Sequence, residues 1–380
     1  MKLFKSLLVA PATIGLLAPF STFAGEANLN DISKYSNLEN IDLANAFVND
    51  EPKHNSLIAG GEGLVDSDSS DASFSETTAA SFSVDAVLGA IDGDATTEAT
   101  VFEYQFNIGL STSFTGEDSL DIAIDSGSDA AATTDNPMAF DTGASLSVDG
   151  VAYSFPLGGA SMTVGNDTDI SATFTGACSY SAFTDYMSDC GTGNSIGVGG
   201  SGVTATVGYA FDSGFSLAGG ISGEATTVAN SSTVSNGLFT KEGSDIYGIE
   251  AAYTADSYGV AVAYVSNDGG TGDETTYWGV NATYSFDVVD VSVGYETEEK
   301  TVTETGYFVG LTFPEVGPGS VSIGAGTSDN FADNADELMV YEASYSYPVN
   351  DSMTITPGIF IEEKSGDDLT GVLVTTSFSF

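Results

Sequence analysis

The chain closes on Leu369-Thr-Gly-Val-Leu-Val-Thr-Thr-Ser-Phe-Ser-Phe380. Successive side chains of a strand point to opposite faces, so Val372, Val374, Thr376, Phe378 and Phe380 share one face, with Leu373, Thr375, Ser377 and Ser379 between them. One face is apolar and ends on aromatics. The same pattern returns upstream: Tyr153-Ser-Phe155, Tyr209-Ala-Phe211, Tyr253, Tyr284-Ser-Phe286, Phe313 and Tyr345-Ser-Tyr347 each stand just before a short turn. Aromatics at one depth on successive strands make a girdle where lipid hydrocarbon meets headgroup. The pattern predicts an all-β fold, a transmembrane antiparallel β-barrel.

Counting back from Phe380 places strands near 369–380, 352–362, 337–347, 319–327, 304–314, 289–298, 275–285, 258–266, 246–254, 214–223, 202–211, 160–168, 143–155, 119–126, 100–112 and 77–90. Sixteen is an even number and puts both ends on one side. Short turns follow the aromatic ends, as at Pro156–Gly159 and Asp287–Asp290. Long acidic, glycine-rich connections such as 266–274 and 327–337 lie at the other end. That asymmetry predicts short periplasmic turns and long external loops. Alternation also assigns faces: Tyr247, Ile249, Trp278, Val280 and Tyr341 to lipid, and Gly248, Glu250, Gly279, Asn281 and Glu342 inside. An inside of Gly, Ser, Thr, Asn and Glu predicts a water-filled lumen rather than a packed core, and about sixteen strands is wide enough for one.

Met1–Ala24 carries Lys2 and Lys5, then an apolar stretch from Leu7 to Phe20, the pattern of a secretory signal peptide. Residues 25–76 are polar and acidic and are expected to form a periplasmic lead-in, leaving 77–380 for the barrel. The whole chain has 54 acids, and without the leader only five bases, all lysine, giving a net charge of −49. Such a charge excludes nucleic acid and anionic lipid surfaces as partners, since both require basic patches. It fits either solubility in a salty medium or a cation-attracting pore. After the leader, no stretch approaches the roughly eighteen apolar residues of a membrane-spanning helix.

The third long loop, about 169–201, is the longest connection and is expected to be functional. It holds Cys178, Phe183, Asp185, Tyr186, Asp189 and Cys190. Two cysteines in an exported chain predict a disulfide, which would stiffen the loop. The loop either folds into the lumen and narrows it or stays outside as a pinned surface loop. Glu250 and Glu342 are the expected lumen-facing acids. Lys34 and Lys53 fall in the lead-in, and Lys241, Lys300 and Lys364 in external loops, so no base is expected on a lumen face.

Enzymes built on barrels need a base poised near neutral pH, usually His. The single histidine, His54, lies in the lead-in. No catalytic residue and no cofactor is expected, and the chain reads as no enzyme. Asp92-Gly-Asp94 and Asp268-Gly-Gly-Thr-Gly-Asp273 lack full calcium-ligand spacing and read as acidic loops, so no metal site is expected. Val198-Gly-Gly-Ser-Gly202 lacks the Lys and helix of a phosphate loop.

Phe106-Asn-Ile-Gly-Leu-Ser-Thr-Ser-Phe-Thr-Gly-Glu-Asp-Ser-Leu120 resembles the "DTSFTGKDLL" strand–turn–strand of cyanobacterial outer-membrane porins. Tyr153-Ser-Phe-Pro-Leu-Gly-Gly159 is similar to their "YxFPLGD" hairpin. That family is similar to carbohydrate-selective porins and includes iron-uptake porins. The resemblance implies a location in the outer membrane of a Gram-negative-type bacterium. Two family features have no counterpart: the surface-layer-homology domain with its coiled coil, and the lumen arginines. By analogy with other outer-membrane barrels, Phe378 and Phe380 are the signal read by the barrel-assembly machinery, and a homotrimer is expected. The combined expectation is a porin for passive diffusion of small hydrophilic solutes and ions, preferring cations. A channel selective for carbohydrate or iron is the alternative, and an acidic non-membrane β-rich surface protein the remote one.

Overall fold

The computed structural model describes residues 78–93, 98–128, 137–140, 143–187, 202–223, 238–240, 243–269, 274–328, 331–332 and 335–380. The expected signal peptide and lead-in, together with Asp189, Cys190 and Lys241, lie outside these residues.

The strands are β1 (Thr78–Asp92), β2 (Ala99–Thr112), β3 (Ser119–Gly127), β4 (Ser147–Leu157), β5 (Ala160–Asn166), β6 (Val203–Ala210), β7 (Phe215–Gly223), β8 (Asp245–Thr254), β9 (Tyr258–Asn267), β10 (Thr275–Ser285), β11 (Asp290–Glu299), β12 (Thr303–Val316), β13 (Gly319–Thr327), β14 (Phe331–Ala332), β15 (Met339–Asn350), β16 (Met353–Glu362) and β17 (Leu369–Ser379). The two-residue β14 only extends the pairing of β12. The other sixteen form a closed antiparallel barrel, each paired with its chain neighbours. β1 completes the circle by pairing β17 from Ser83↔Ser379 to Asp92↔Thr370. Closure matters because hydrocarbon offers no partner to an unpaired backbone group.

The seam finishes on the last residue. Phe82 N donates to Phe380 O at 2.9 Å, and Phe380 N donates back to Phe82 O at 3.0 Å. Their rings stack at 5.9 Å between centroids. Alternation along β17 is as the sequence predicts: Val372 is 63% exposed and Leu373 0%. Rings cluster at the short-turn end, with Tyr209–Phe211 at 4.6 Å, Tyr284–Phe286 at 4.5 Å and Phe215–Tyr253 at 4.7 Å.

Two strands run further toward the short turns than the pattern suggests. β12 reaches Val316 through a register shift after Phe313, and β15 reaches Asn350 through one after Pro348. Proline cannot donate to a ladder and is tolerated at such an irregularity. β5 and β6, of 7 and 8 residues, are the shortest barrel strands.

The interior departs from expectation. Val87, Ile91, Val101, Phe360, Leu369 and Leu373 point inward at the long-loop end and pack with Phe140 and Phe183 into a buried apolar cluster. Inward apolar side chains are stable there because segments of the second and third long loops cover them. The barrel therefore has an apolar core inside one sector as well as polar wall.

The two family-like stretches meet at one turn between β2 and β3. Asp118 accepts Ser113 Oγ at 2.8 Å, Phe114 N at 2.9 Å, Thr115 N at 2.8 Å and Tyr153 OH at 2.6 Å. Gly116 sits at φ +85°, the region only glycine enters freely. The Tyr153 hydroxyl above all, with the turn's own donors, holds the Asp118 carboxyl well below the usual carboxylate range.

Replacing Phe380 with Ser removes the ring at the seam, and the variant is expected to stay outside the membrane and protease-sensitive. A heat-modifiable, membrane-embedded variant would contradict this. Asp118→Asn is expected to lower the temperature at which the barrel opens at pH 7. Because a lowered carboxyl pKa contributes stability above the unfolded value near 4, the gap between variant and parent should narrow only as pH falls below about 4. Heat-modified mobility on gels across pH measures it.

Candidate functional site

The loop between β5 and β6 turns inward at its start. Asp169 precedes a single 3-10 turn, Ile170–Thr173. Ile170 is fully buried against Ile246, Val265 and Tyr277. The following segment runs across the inner wall from β8 to β16, and four of the strands it crosses give it an acceptor. On β8, Glu250 accepts Thr175 N at 2.6 Å and Gly176 N at 3.1 Å. On β10, Asn281 Oδ1 accepts Ala177 N at 2.9 Å. On β11, Ser292 Oγ accepts Ser179 N at 3.0 Å and Tyr180 N at 3.2 Å. On β15, Glu342 Oε1 accepts Tyr180 OH at 2.6 Å and Phe183 N, while its Oε2 accepts Thr184 N and Thr184 Oγ1, both at 3.0 Å. A non-helical segment buried in a barrel must satisfy its N–H groups somewhere. Here inward side chains do it.

Glycine makes the room. A Cβ on Gly310 or Gly324 would strike the Tyr180 side chain, one on Gly358 the Phe183 ring, and one on Gly248 the Ile170 side chain. On Gly220 it would lie 2.9 Å from Ile170 Cβ. These positions all face inward, so part of the glycine content forms a shallow bed for the loop.

The predicted site residues are placed as follows. Cys178 is disulfide-bonded, and the chain's other cysteine, Cys190, lies outside the described residues, as does Asp189. Phe183 is buried in the apolar cluster and Tyr186 packs on Phe360 at 5.3 Å. Asp185 N donates to Pro137 O at 2.8 Å, joining the third loop to the second. Glu250 and Glu342 do face inward, but each is only 3% exposed. The expectation that they act unopposed in the lumen needs correction: loop N–H groups and hydroxyls surround them.

Lys364 lies in the connection between β16 and β17, as expected, and its side chain reaches back over the third loop. Its Nζ lies 2.7 Å from Glu362 Oε1 and 5.6 Å from the centre of the Tyr186 ring. It therefore sits over the inward-folded loop and is not confined to an outer surface. Glu362 is 2% exposed, so the pair is the charge-compensated solution a buried carboxylate requires. Lys300 bonds Glu298 and Glu304 at 3.2 and 2.9 Å. At the loop's start, burial, reinforced by the charges of Asp167 and Asp149, pushes the Asp169 carboxyl up to about 7.

Sequence reading missed Ile170, Tyr180 and Ser292. Tyr180 and Ile170 lie in a stretch with no period. A row of inward glycines on neighbouring strands was the available signal, since a bare wall in a wide barrel leaves space for something to lie on it.

A barrel of sixteen strands with one loop folded along its inner wall defines a porin. The family model for Gram-negative porins matches residues 83–359. The chain belongs to that family, whose members are outer-membrane channels for solute diffusion. Its fold is similar to a high-pH structure of Pseudomonas putida OprB, at TM-score 0.64 and 13% identity, covering 80% of this chain and 94% of that one. It is also similar to OmpT of Vibrio cholerae lacking loop L8, an outer membrane protein, at TM-score 0.57 and 10% identity, covering 80% and 100%. A mutant of Rh. blastica porin matches at TM-score 0.50 and 15% identity, again covering 80% and 100%. No curated protein matches the sequence.

Glu342→Gln keeps the shape but turns one acceptor oxygen into a donor that faces two donors. A buried unsatisfied group costs about 1–3 kcal/mol. Single-channel recordings are expected to show added current noise and flicker. Gly324→Val, which displaces Tyr180, should do the same, with the barrel still heat-modifiable. Quiet, parent-like currents from both variants would show that these contacts do not hold the loop.

Proposed function

We propose that this porin is a passive channel preferring small cations, with neutral solutes following by size and anions passing poorly. The observation that carries the reading is a set of aspartates on the inward faces of β1 and β3. Asp85 on β1 and Asp121 and Asp125 on β3 share the inward face, because Asp85 pairs with Gln105, and Asp121 and Asp125 pair with Ser111 and Asn107. No arginine exists in the chain, and the described lysines, Lys300 and Lys364, are each already beside carboxylates. Excess carboxylate along a confined aqueous path raises local cation concentration and repels anions. Glu250 and Glu342 contribute as positioning groups for the loop, so the wall aspartates supply the charge that permeating ions meet.

Reversal potential in a KCl gradient across a planar bilayer tests this. The cation-selective sign is expected, weakening toward about 1 M salt, where the Debye length is about 3 Å. Asp121→Asn with Asp125→Asn should move the reversal toward zero. A wild-type reversal at zero or of the anion-selective sign would place the effective acids on outer loops, where they serve solubility.

A further inference from the structure

At the long-loop end of β7 and β8 the outer rim of the barrel is buried, although it faces away from the lumen. Ser222 and Ile246 point inward: Ser222 shares a 2.8 Å hydrogen bond with Thr204 on the inner face, and Ile246 packs with Ile170. Alternation therefore turns their neighbours Gly223 and Asp245, which pair with each other, to the outside. Both are nonetheless buried, Asp245 to 4% exposure. Residues 238–240 of the connection between β7 and β8 cover them. A Cβ on Gly223 would lie 2.6 Å from Leu238 N and 3.0 Å from Leu238 Cα. Phe239 N donates to both carboxylate oxygens of Asp245, at 3.0 and 3.1 Å. This segment folds down over the outer wall, whereas the third loop folds inward.

The contacts hold Phe239 in an unusual conformation. Its φ of +64° lies in the left-handed region, an outlier for a bulky residue. Asp245, which holds it, is itself fixed: Tyr247 OH donates to its Oδ2 at 3.2 Å, and its own N–H donates to Asp268 Oδ1 at 2.8 Å. Yet Phe239 is 74% exposed, more than any other large apolar residue among those described. Strain of this kind persists only where the surroundings over-determine it, and it gathers at sites with a task. In water, this arrangement would carry a strained backbone and a bare apolar ring together.

We infer that Phe239 is a loop-borne lipid anchor: its ring inserts at the headgroup level of the leaflet on the long-loop side, and Asp245 positions it there. The occupant follows from continuity with the lipid-facing belt. Tyr247, Tyr264 and Trp278 are the outward aromatics of β8, β9 and β10 toward the long loops, with Tyr264 and Trp278 4.7 Å apart. Asp245 lies two residues beyond Tyr247 on the same face, roughly 5 Å along the membrane normal for a strand rising about 3.4 Å per residue at a tilt of about 45°. At that end β7 offers only Ile221 and Gly223 to the outside, so the loop supplies a ring where the strand has none. Aromatic side chains are favoured at this depth, where hydrocarbon meets headgroup. The one charge beside the ring, on Asp245, is covered by the segment itself and is not presented to anionic headgroups.

The test uses the full chain inserted in phosphatidylcholine vesicles. Trp278, the chain's only tryptophan, lies in the girdle and controls for insertion: lipid brominated on its acyl chains should quench its emission in the parent protein. In Trp278→Phe with Phe239→Trp, the introduced tryptophan should lose emission to the same lipids to a comparable extent. Bromine near the carbonyl end of the chain should quench it more than bromine near the chain terminus, and iodide in the water hardly at all. Adding Asp245→Ala should reverse the two quenchers. Where the tryptophan variant fails to assemble, a nitroxide on Phe239→Cys gives the same reading, with oxygen relaxing its signal more than a water-soluble nickel chelate. Quenching by iodide alone, or by neither reagent because another protein surface covers the ring, would overturn the anchor. Unchanged lipid quenching without the Asp245 carboxylate would overturn its positioning role. Absence of lipid quenching at Trp278 in the parent would remove the membrane location itself, and the anchor with it.

Discussion

The structure depends on pairing every backbone group that stands in hydrocarbon. Sixteen strands meet this only as a closed circle, so the N-terminal and C-terminal strands must find each other across the whole chain. The β1–β17 ladder and the reciprocal Phe82–Phe380 bonds do this. Once the circle is closed, side-chain alternation becomes a division between lipid and interior. The rest of the molecule is an answer to what fills a tube of that width.

Part of the answer is a piece of the chain's own backbone. A loop folded into a barrel brings N–H groups that water no longer fully serves, and the wall supplies acceptors at the needed spacing: carboxylate, amide, hydroxyl, carboxylate on β8, β10, β11 and β15. Carboxylates suit this task, since each offers two acceptor oxygens. Glycines opposite the loop remove the Cβ atoms that would hold it off the wall. On the loop side, acidity inside this barrel organises backbone.

The apolar cluster between Phe140, Phe183 and the inward faces of β16, β17, β1 and β2 adds a second kind of restraint. With the Asp185–Pro137 bond and Lys364 over Tyr186, it ties three external loops together inside the mouth. A disulfide at Cys178 stiffens the same loop from within. These contacts make the loop part of the folded wall, with its own core, so substitution at an inward glycine acts on the passage as directly as substitution in the loop.

Strand positions, their faces, the aromatic girdle and the closing terminal strand were legible in the sequence, because alternation of period two is local and lipid imposes it on every strand alike. The same regularity made Glu250, Asn281 and Glu342 legible as inward residues. What each inward residue does was decided only by tertiary structure. Glu342 meets Tyr180 from 162 residues away and Glu250 meets Thr175 from 75, and no local pattern records such a meeting. Whether an inward carboxylate faces water or a loop depends on the path of a segment that has no period of its own. The interior's apolar sector escaped notice for the same reason: Val87, Leu373 and Phe360 look like any inward positions until a loop from elsewhere in the chain covers them.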